Sequence, residues 1–260
     1  MTIIFIIFSF AALLGAFILD GGHISGLLSP TAALIVIGGT IGATGVTVPL
    51  STLKNVGKLF VVAMGNRKTD LNALIDYFNE LSTKARKEGL LALESDLNAE
   101  NIDPFIRKGM SLAVDGTNPE LIKSIMETQI EQITKRHRAQ IQIFEAAGGY
   151  APTMGILGTV MGLVHVLSNL ADASSLGEKI AVAFLATMYG IGTANIIWLP
   201  IAGKLKALDA AEVKEKLLIV EAVLSITSGD NPQVMVEKLK VFLDPSQVAQ
   251  YERAEGSEAA

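Results

Sequence analysis

Four stretches of this chain, residues 2–19, 30–53, 151–171 and 180–202, contain no Asp, Glu, Lys or Arg. A bilayer core of about 30 Å requires about 20 helical residues, and each stretch is of that order. Such runs leave few structural choices. In lipid every backbone N–H and C=O must be satisfied within the segment, so each run is expected to be a helix. The totals agree: half of the 260 residues are hydrophobic and the mean hydropathy is +0.45. The fold class expected is all-α, a polytopic membrane protein with four transmembrane helices and a helical cytoplasmic domain. The first run has no basic residue ahead of its apolar core, and no clear small-x-small site follows it, so it is read as a retained span rather than a signal peptide.

Basic residues set the orientation. Twenty of the 21 Lys and Arg fall between Lys54 and Arg138 or from Lys204 onward, and the short turns at 20–29 and 172–179 carry none and one. Both turns are therefore expected to face outward, with both termini and the large loop in the cytoplasm. Tyr150 and Trp198 then lie near the inner boundary, where amphipathic rings settle. The domain plan is 1–53 (spans one and two), 54–146 (cytoplasmic loop), 147–203 (spans three and four) and 204–260 (cytoplasmic tail). In the loop, Leu71, Leu74, Tyr77, Phe78 and Leu81 recur at helical spacing after a capping Thr69 or Asp70. VDGTNPE (114–120) reads as a turn before a second long helix, which is expected to run towards span three with little break until Gly148-Gly149. SGDNP divides the tail into helices at about 204–228 and 232–243, and ERAEGSEAA is expected to fray. ARKEGLLALESD holds Arg86 and Glu94 eight residues apart, about 80° and about 12 Å on an ideal helix, so they are expected to share an exposed face without pairing.

Composition excludes several functions. A net charge of −5 and a pI near 5.3 do not suit a nucleic-acid partner. Without cysteine there is no disulfide or thiolate chemistry, and His23, His137 and His165 have no metal-ligand spacing. GGTIGATGVT lacks the lysine of a phosphate loop, and serine, histidine and acid nowhere cluster as in a hydrolase, so no enzyme activity is expected.

The third run, YAPTMGILGTVMGLVHVLSNL, is richer than a lipid anchor needs. Pro152, Gly155, Thr159 and Gly162 form one narrow stripe of a helix, Ala183, Thr187, Gly190 and Ala194 form a matching one, and Gly38 and Gly42 stand four apart in span two. Small faces let helices approach closely in lipid. For Thr159 and Thr187 the residues alone leave two readings open: each hydroxyl bonds back to the carbonyl one turn earlier, or the two face each other and help solvate a cation or a water chain. Pro152 and Pro200 each remove a backbone donor at similar depth. His165, the only titratable group deep in a span, is expected to be a packed, neutral imidazole. The spans carry no carboxylate. A charge at the bilayer centre costs about 2.5–3.5 kcal/mol, and ion-coupled machines accept that cost because a reversible ion site needs a counter-charge. If this chain handles ions, a partner must supply the acid.

YAPTMGILGTVMGLVHVL, AFLATMYGIGTANIIWLPIAGKL and RKEGLLALE together resemble the MotA and PomA family, the ring-forming stator subunits of the bacterial flagellar motor. The resemblance covers nearly the whole chain. It implies a homopentamer in the inner membrane around a dimer of a single-span MotB-type partner whose helix carries the ion-binding aspartate. Translocated H+ or Na+ then rotates the ring, which turns the rotor protein FliG. No bound cofactor and no metal are implied. Carried over by motif, Arg86 and Glu94 contact the rotor, Pro152 and Pro200 couple ion binding to movement, and Thr187 and Thr159 line the ion pathway. Thr159 matches sodium-driven relatives, whereas Ala186 stands where those relatives often carry a second threonine. The alternative is an ExbB or TolQ type of proton-channel subunit that energises the cell envelope, but such relatives have three spans and an outward N-terminus. A self-contained transporter would need its own intramembrane acid and usually inverted repeats.

Overall fold

The computed structural model describes residues 2–65, 69–97, 102–168 and 176–258, with side chains described as far as residue 254. Among these residues the chain is helical throughout. In chain order the elements are α1 (Thr2–Leu19), α2 (Pro30–Ala33), which continues through a π-turn at Leu34–Gly38 into α3 (Gly39–Thr47), α4 (Leu50–Leu53), α5 (Val56–Met64), α6 (Leu71–Glu88), α7 (Glu94–Leu97), α8 (Pro104–Val114), α9 (Pro119–Leu167), α10 (Leu176–Thr193), which continues through a π-turn at Ala194–Trp198 into α11 (Leu199–Thr227), α12 (Pro232–Lys240) and α13 (Pro245–Glu258). Short 3-10 turns lie at Ile24–Leu27 and Leu90–Leu93. Four helical segments are long and apolar enough to cross a membrane. The contacts divide the chain into two compact units, residues 1–66 with 136–208, and residues 67–135 with 209–260.

The first unit contains the apolar runs. α1 has no buried residue and exposes Ile4, Phe5, Ile7 and Phe8, a face suited to hydrocarbon rather than to water. Span two ends earlier than residue 53. The helix stops at Thr47, and Val48 is extended because Pro49 disfavours helical geometry in the residue before it. At one end of the unit, Ala63, Ile141, Phe144, Ile201 and Leu205 form a core with Phe60 and Trp198 packed on it. Phe60 and Phe144 meet edge to face with centroids 5.2 Å apart, and Trp198 lies 6.0 Å from Phe60. An ion pair between Lys206 and Glu145 joins α11 to α9. Trp198 also lies 6.3 Å from Phe144, so the three rings form one aromatic cluster.

The second unit is built from amphipathic helices. α6 is capped by Asp70, whose carboxylate accepts from the N–H groups of Asn72 and Ala73, while Thr69 donates to Glu215 at 2.7 Å. Leu71, Ile75, Phe78 and Leu81 of α6 are buried against Met110, Ile122, Met126, Leu218, Met235 and Leu239. Leu74 and Tyr77 sit at the edge of that core. The α11–α12 turn falls at SGDNP, as expected. Lys238 reaches back to Asp230 at 2.8 Å and Glu221 at 3.6 Å. Its hydrogen bond holds the Asp230 carboxyl below the usual carboxylate range, and the same bond raises Lys238.

Two other expectations fail. α9 is one helix through Gly148, Gly149 and Pro152, with Gly148 packed closely against Leu199 of α11, a tertiary contact that outweighs weak helix propensity. Of ERAEGSEAA, residues 252–258 continue α13 directly after Tyr251, which is buried in the core of the second unit, and residues 259–260 lie outside the described residues.

Candidate ion-pathway site

The third and fourth runs meet backbone to backbone. A Cβ placed on Gly155 of α9 would lie 2.8 Å from the Ala186 carbonyl oxygen, and one on Gly190 of α10 would lie 2.5 Å from the Ala151 oxygen. Only glycine fits at either place. Gly162 lies against Ala183 in the same way. The two small stripes read from the sequence therefore face each other.

This approach brings Thr159 and Thr187 together. Their hydroxyls are hydrogen-bonded to each other. Thr159 Oγ1 also lies 3.2 Å from the Gly155 carbonyl of its own helix and 3.0 Å from the Ala183 carbonyl of α10. Thr187 Oγ1 lies 3.4 Å from the same Gly155 carbonyl, across the helix pair. Both readings of these threonines are thus realised in part. Thr159 bonds back one turn, and the two hydroxyls also face each other. The patch holds four oxygens and two protons. Two carbonyls and two hydroxyls offer more lone pairs than the two O–H groups can use, so the patch is rich in acceptors. Both threonines are half-buried, and one side of the patch is open at the surface of the chain. Oxygen ligands of this kind suit a hard cation or a proton-carrying water.

Ala186 does not belong to the patch. A Cβ on Gly158 would meet the Ala186 methyl at 2.6 Å, and Ala186 is buried with Ala32, Val36 and Leu185. Pro152 lies within α9, three residues before Gly155, where its ring leaves the Gly148 carbonyl without its helical donor. Pro200 is the second residue of α11, directly after the π-turn Ala194–Trp198. A π-turn is one way for a helix to absorb a disrupted bond register. His165 is exposed on α9 rather than packed inside the chain.

The expected Gly38 and Gly42 contact is replaced. Gly42 has open space around it, and Gly39 meets Met154 of α9, with its hypothetical Cβ 2.7 Å from the sulfur. The π-turn at Leu34–Gly38 rotates the downstream helix, a shift that an i, i+4 pattern cannot reveal. Sequence reasoning also missed Tyr189. Its hydroxyl accepts from Ser29 N–H at 3.1 Å and donates to the Leu27 carbonyl, tying α10 to the turn that opens span two. The available signal was the one tyrosine of the fourth run, which must find a partner for its hydroxyl in lipid. Thr40 and Thr44 lie one turn apart, buried, with hydroxyls that have no partner among the described residues.

Arg86 and Glu94 lie in the second unit, both exposed, and neither forms an ion pair among the described residues. They are not on one helix, as their spacing suggested. α6 ends at Glu88, Gly89 takes φ +85°, and a 3-10 turn leads into α7, which begins at Glu94. The reversal needs the left-handed backbone region that only glycine enters cheaply. Nearby, burial and then the charge of Asp96 push the Tyr77 phenol above its usual range. No cluster of three or more metal-ligating side chains occurs among the described residues.

Comparison with known proteins fits this geometry. The description "MotA/TolQ/ExbB proton channel family" matches residues 98–216, and "Motility protein A N-terminal" matches residues 3–89. Motility protein A of Bacillus subtilis is 41% identical over 243 residues, covering 93% of this chain and 90% of that protein. The chain belongs to the MotA/PomA family of flagellar motor stator subunits. Another member of the family, the chemotaxis protein PomA of Vibrio alginolyticus, is 34% identical and covers 94% of each chain. The flagellar MotAB stator complex of Bacillus subtilis superposes with a TM-score of 0.89 at 40% identity, covering 95% of this chain and 98% of that one. The C. jejuni MotAB structure gives the same score at 31% identity, covering 94% and 95%. The MotA/PomA fold therefore spans nearly the whole chain, including the paired stripes that carry Thr159 and Thr187.

Proposed function

We propose that this chain forms the ring of an ion-driven torque generator in the bacterial inner membrane, with both termini and the large loop in the cytoplasm. Five copies surround two copies of a MotB-type single-span partner, whose aspartate faces the Thr159 and Thr187 patch. The observation that carries this reading is the patch itself, an open, acceptor-rich cluster on two helices whose spans supply no acid. Acceptors without a counter-charge are half of a cation site, and the solved relatives, both MotAB complexes, support a partner that brings the other half. H+ or Na+ passing this point supplies about 2.3 kcal/mol per charge per 100 mV. Pro152 and Pro200 bend the two pathway helices as occupancy changes, and Arg86 and Glu94 pass the movement to FliG. The ExbB and TolQ alternative shares only the family description that matches residues 98–216, whereas residues 3–89 match a motility description.

The test is co-expression with the single-span partner in a host lacking its own stators, with swimming scored against sodium concentration. Restored swimming is expected. A steep rise with sodium identifies Na+ as the coupling ion, and indifference to sodium identifies H+. Arg86→Glu is expected to reduce torque severalfold while membrane insertion and partner binding stay unchanged. Failure of the native chain to restore swimming with its partner present rules out the motor reading.

A further inference from the structure

Resting on the rotor-contact reading above, we propose that Lys84 and Asp96 form a latch that sets the presentation of Arg86 and Glu94, making both of them positioning residues. Lys84 Nζ lies 2.7 Å from Asp96 Oδ2, joining α6 to α7 across the Gly89 break. Both side chains are about one-third exposed, 33% and 34%. An ion pair this accessible contributes little to holding a fold together, so its value must lie elsewhere.

Geometry indicates where. α7 has only four residues, and Leu93 before it and Leu97 at its end are buried in the core of the second unit. Those two anchors set the depth of the segment, and Arg107 Nε donates to the Leu97 carbonyl at 3.0 Å, but none of these three ties is a polar bond to the α6 side of the Gly89 break. The Lys84 to Asp96 bond is one, and it ties the side of α7 that carries Asp96 to α6. Asp96 lies two residues after Glu94, about 200° around a helix. Drawing Asp96 in towards α6 therefore turns Glu94 out to solvent, where it is found. The same arithmetic applies on α6: Arg86 lies two residues after Lys84 and also points outward. The two inward charges are bonded, and the two outward charges are left as a pair at a set separation. Tyr77, Glu80 and Ser95 line the same hollow, of about 390 Å³. The Tyr77 hydroxyl there is buried and has no partner among the described residues, so it makes no bond to Asp96, and the Ser95 hydroxyl donates to the Ala92 carbonyl instead.

The experiment uses the full chain with its partner in the stator-less host, reading torque on tethered cells, membrane level and partner co-purification. Lys84→Asp and Asp96→Lys are each expected to cut torque at least about threefold with assembly unchanged, because a surface pair is not needed for folding. The exchanged double variant, Lys84→Asp with Asp96→Lys, is expected to restore most of the torque. Loss in the single variants without recovery in the double overturns the latch, since the two charges then act separately. Full torque in the single variants, where Arg86→Glu impairs, also overturns the latch but leaves the rotor contact standing. Full torque in Arg86→Glu removes the rotor contact itself.

Discussion

Thr187→Val is expected to stop the motor without dismantling it. Valine has nearly the shape of threonine, so the close contact of α9 and α10 through Gly155 and Gly190 is kept. The hydroxyl bonds to Thr159 and towards the Gly155 carbonyl are lost. Such bonds between membrane helices average about 0.6 kcal/mol, too little to prevent assembly. Ion passage is affected far more. A bond to a charged group contributes about 1.5–3 kcal/mol, and removing one from a desolvated cation lowers its occupancy by roughly ten- to a hundredfold. Swimming should therefore disappear while membrane level and partner co-purification remain near native. Thr187→Ser, which keeps the hydroxyl, should retain part of the torque. Normal swimming of the valine variant would remove Thr187 from the pathway.

Gly190→Val is expected to do the opposite and lose the protein rather than the ion path alone. The new Cβ would stand 2.5 Å from the Ala151 carbonyl oxygen, with the Gly155 Cα 3.1 Å away. Both neighbours are backbone, so no side chain can rotate to make room. Overpacking of this kind costs about 1–3 kcal/mol even where a core can yield, and here the helices must separate. Separation also breaks the hydroxyl patch, which depends on that approach. Membrane level and partner co-purification should fall about tenfold or more. Gly203→Ala on α11, with open space around it, serves as the control and should remain at the native level. Native yield of Gly190→Val would mean that α9 and α10 do not pack as described.

The sequence made the helices legible because charge-free runs of this length have one solution in lipid. It also made the small stripes legible, since glycine and alanine at three- and four-residue steps mark a face that can approach closely. Thr159 and Thr187 follow from those stripes, as each lies within one. Features that depend on backbone departures from ideal geometry were not legible. The π-turn at Leu34–Gly38 moves the span-two contact from Gly38 and Gly42 to Gly39. Gly89 turns a single imagined helix carrying Arg86 and Glu94 into two segments. Tyr189 was missed because its partners are backbone groups 160 and 162 residues away, which no local pattern encodes. The side of α10 on which Ala186 lies decides its bearing on the ion, and only the packing against Gly158 reveals it.

The central claim is that this chain supplies oxygens but not the negative charge of a cation path. It is tested most directly by ion flux into vesicles containing the purified chain, with and without its single-span partner, under an imposed membrane potential. With the chain alone, H+ and Na+ flux should equal that of empty vesicles. With the partner it should rise, and Thr187→Val should reduce it. Selective cation flux through the chain by itself would contradict the account.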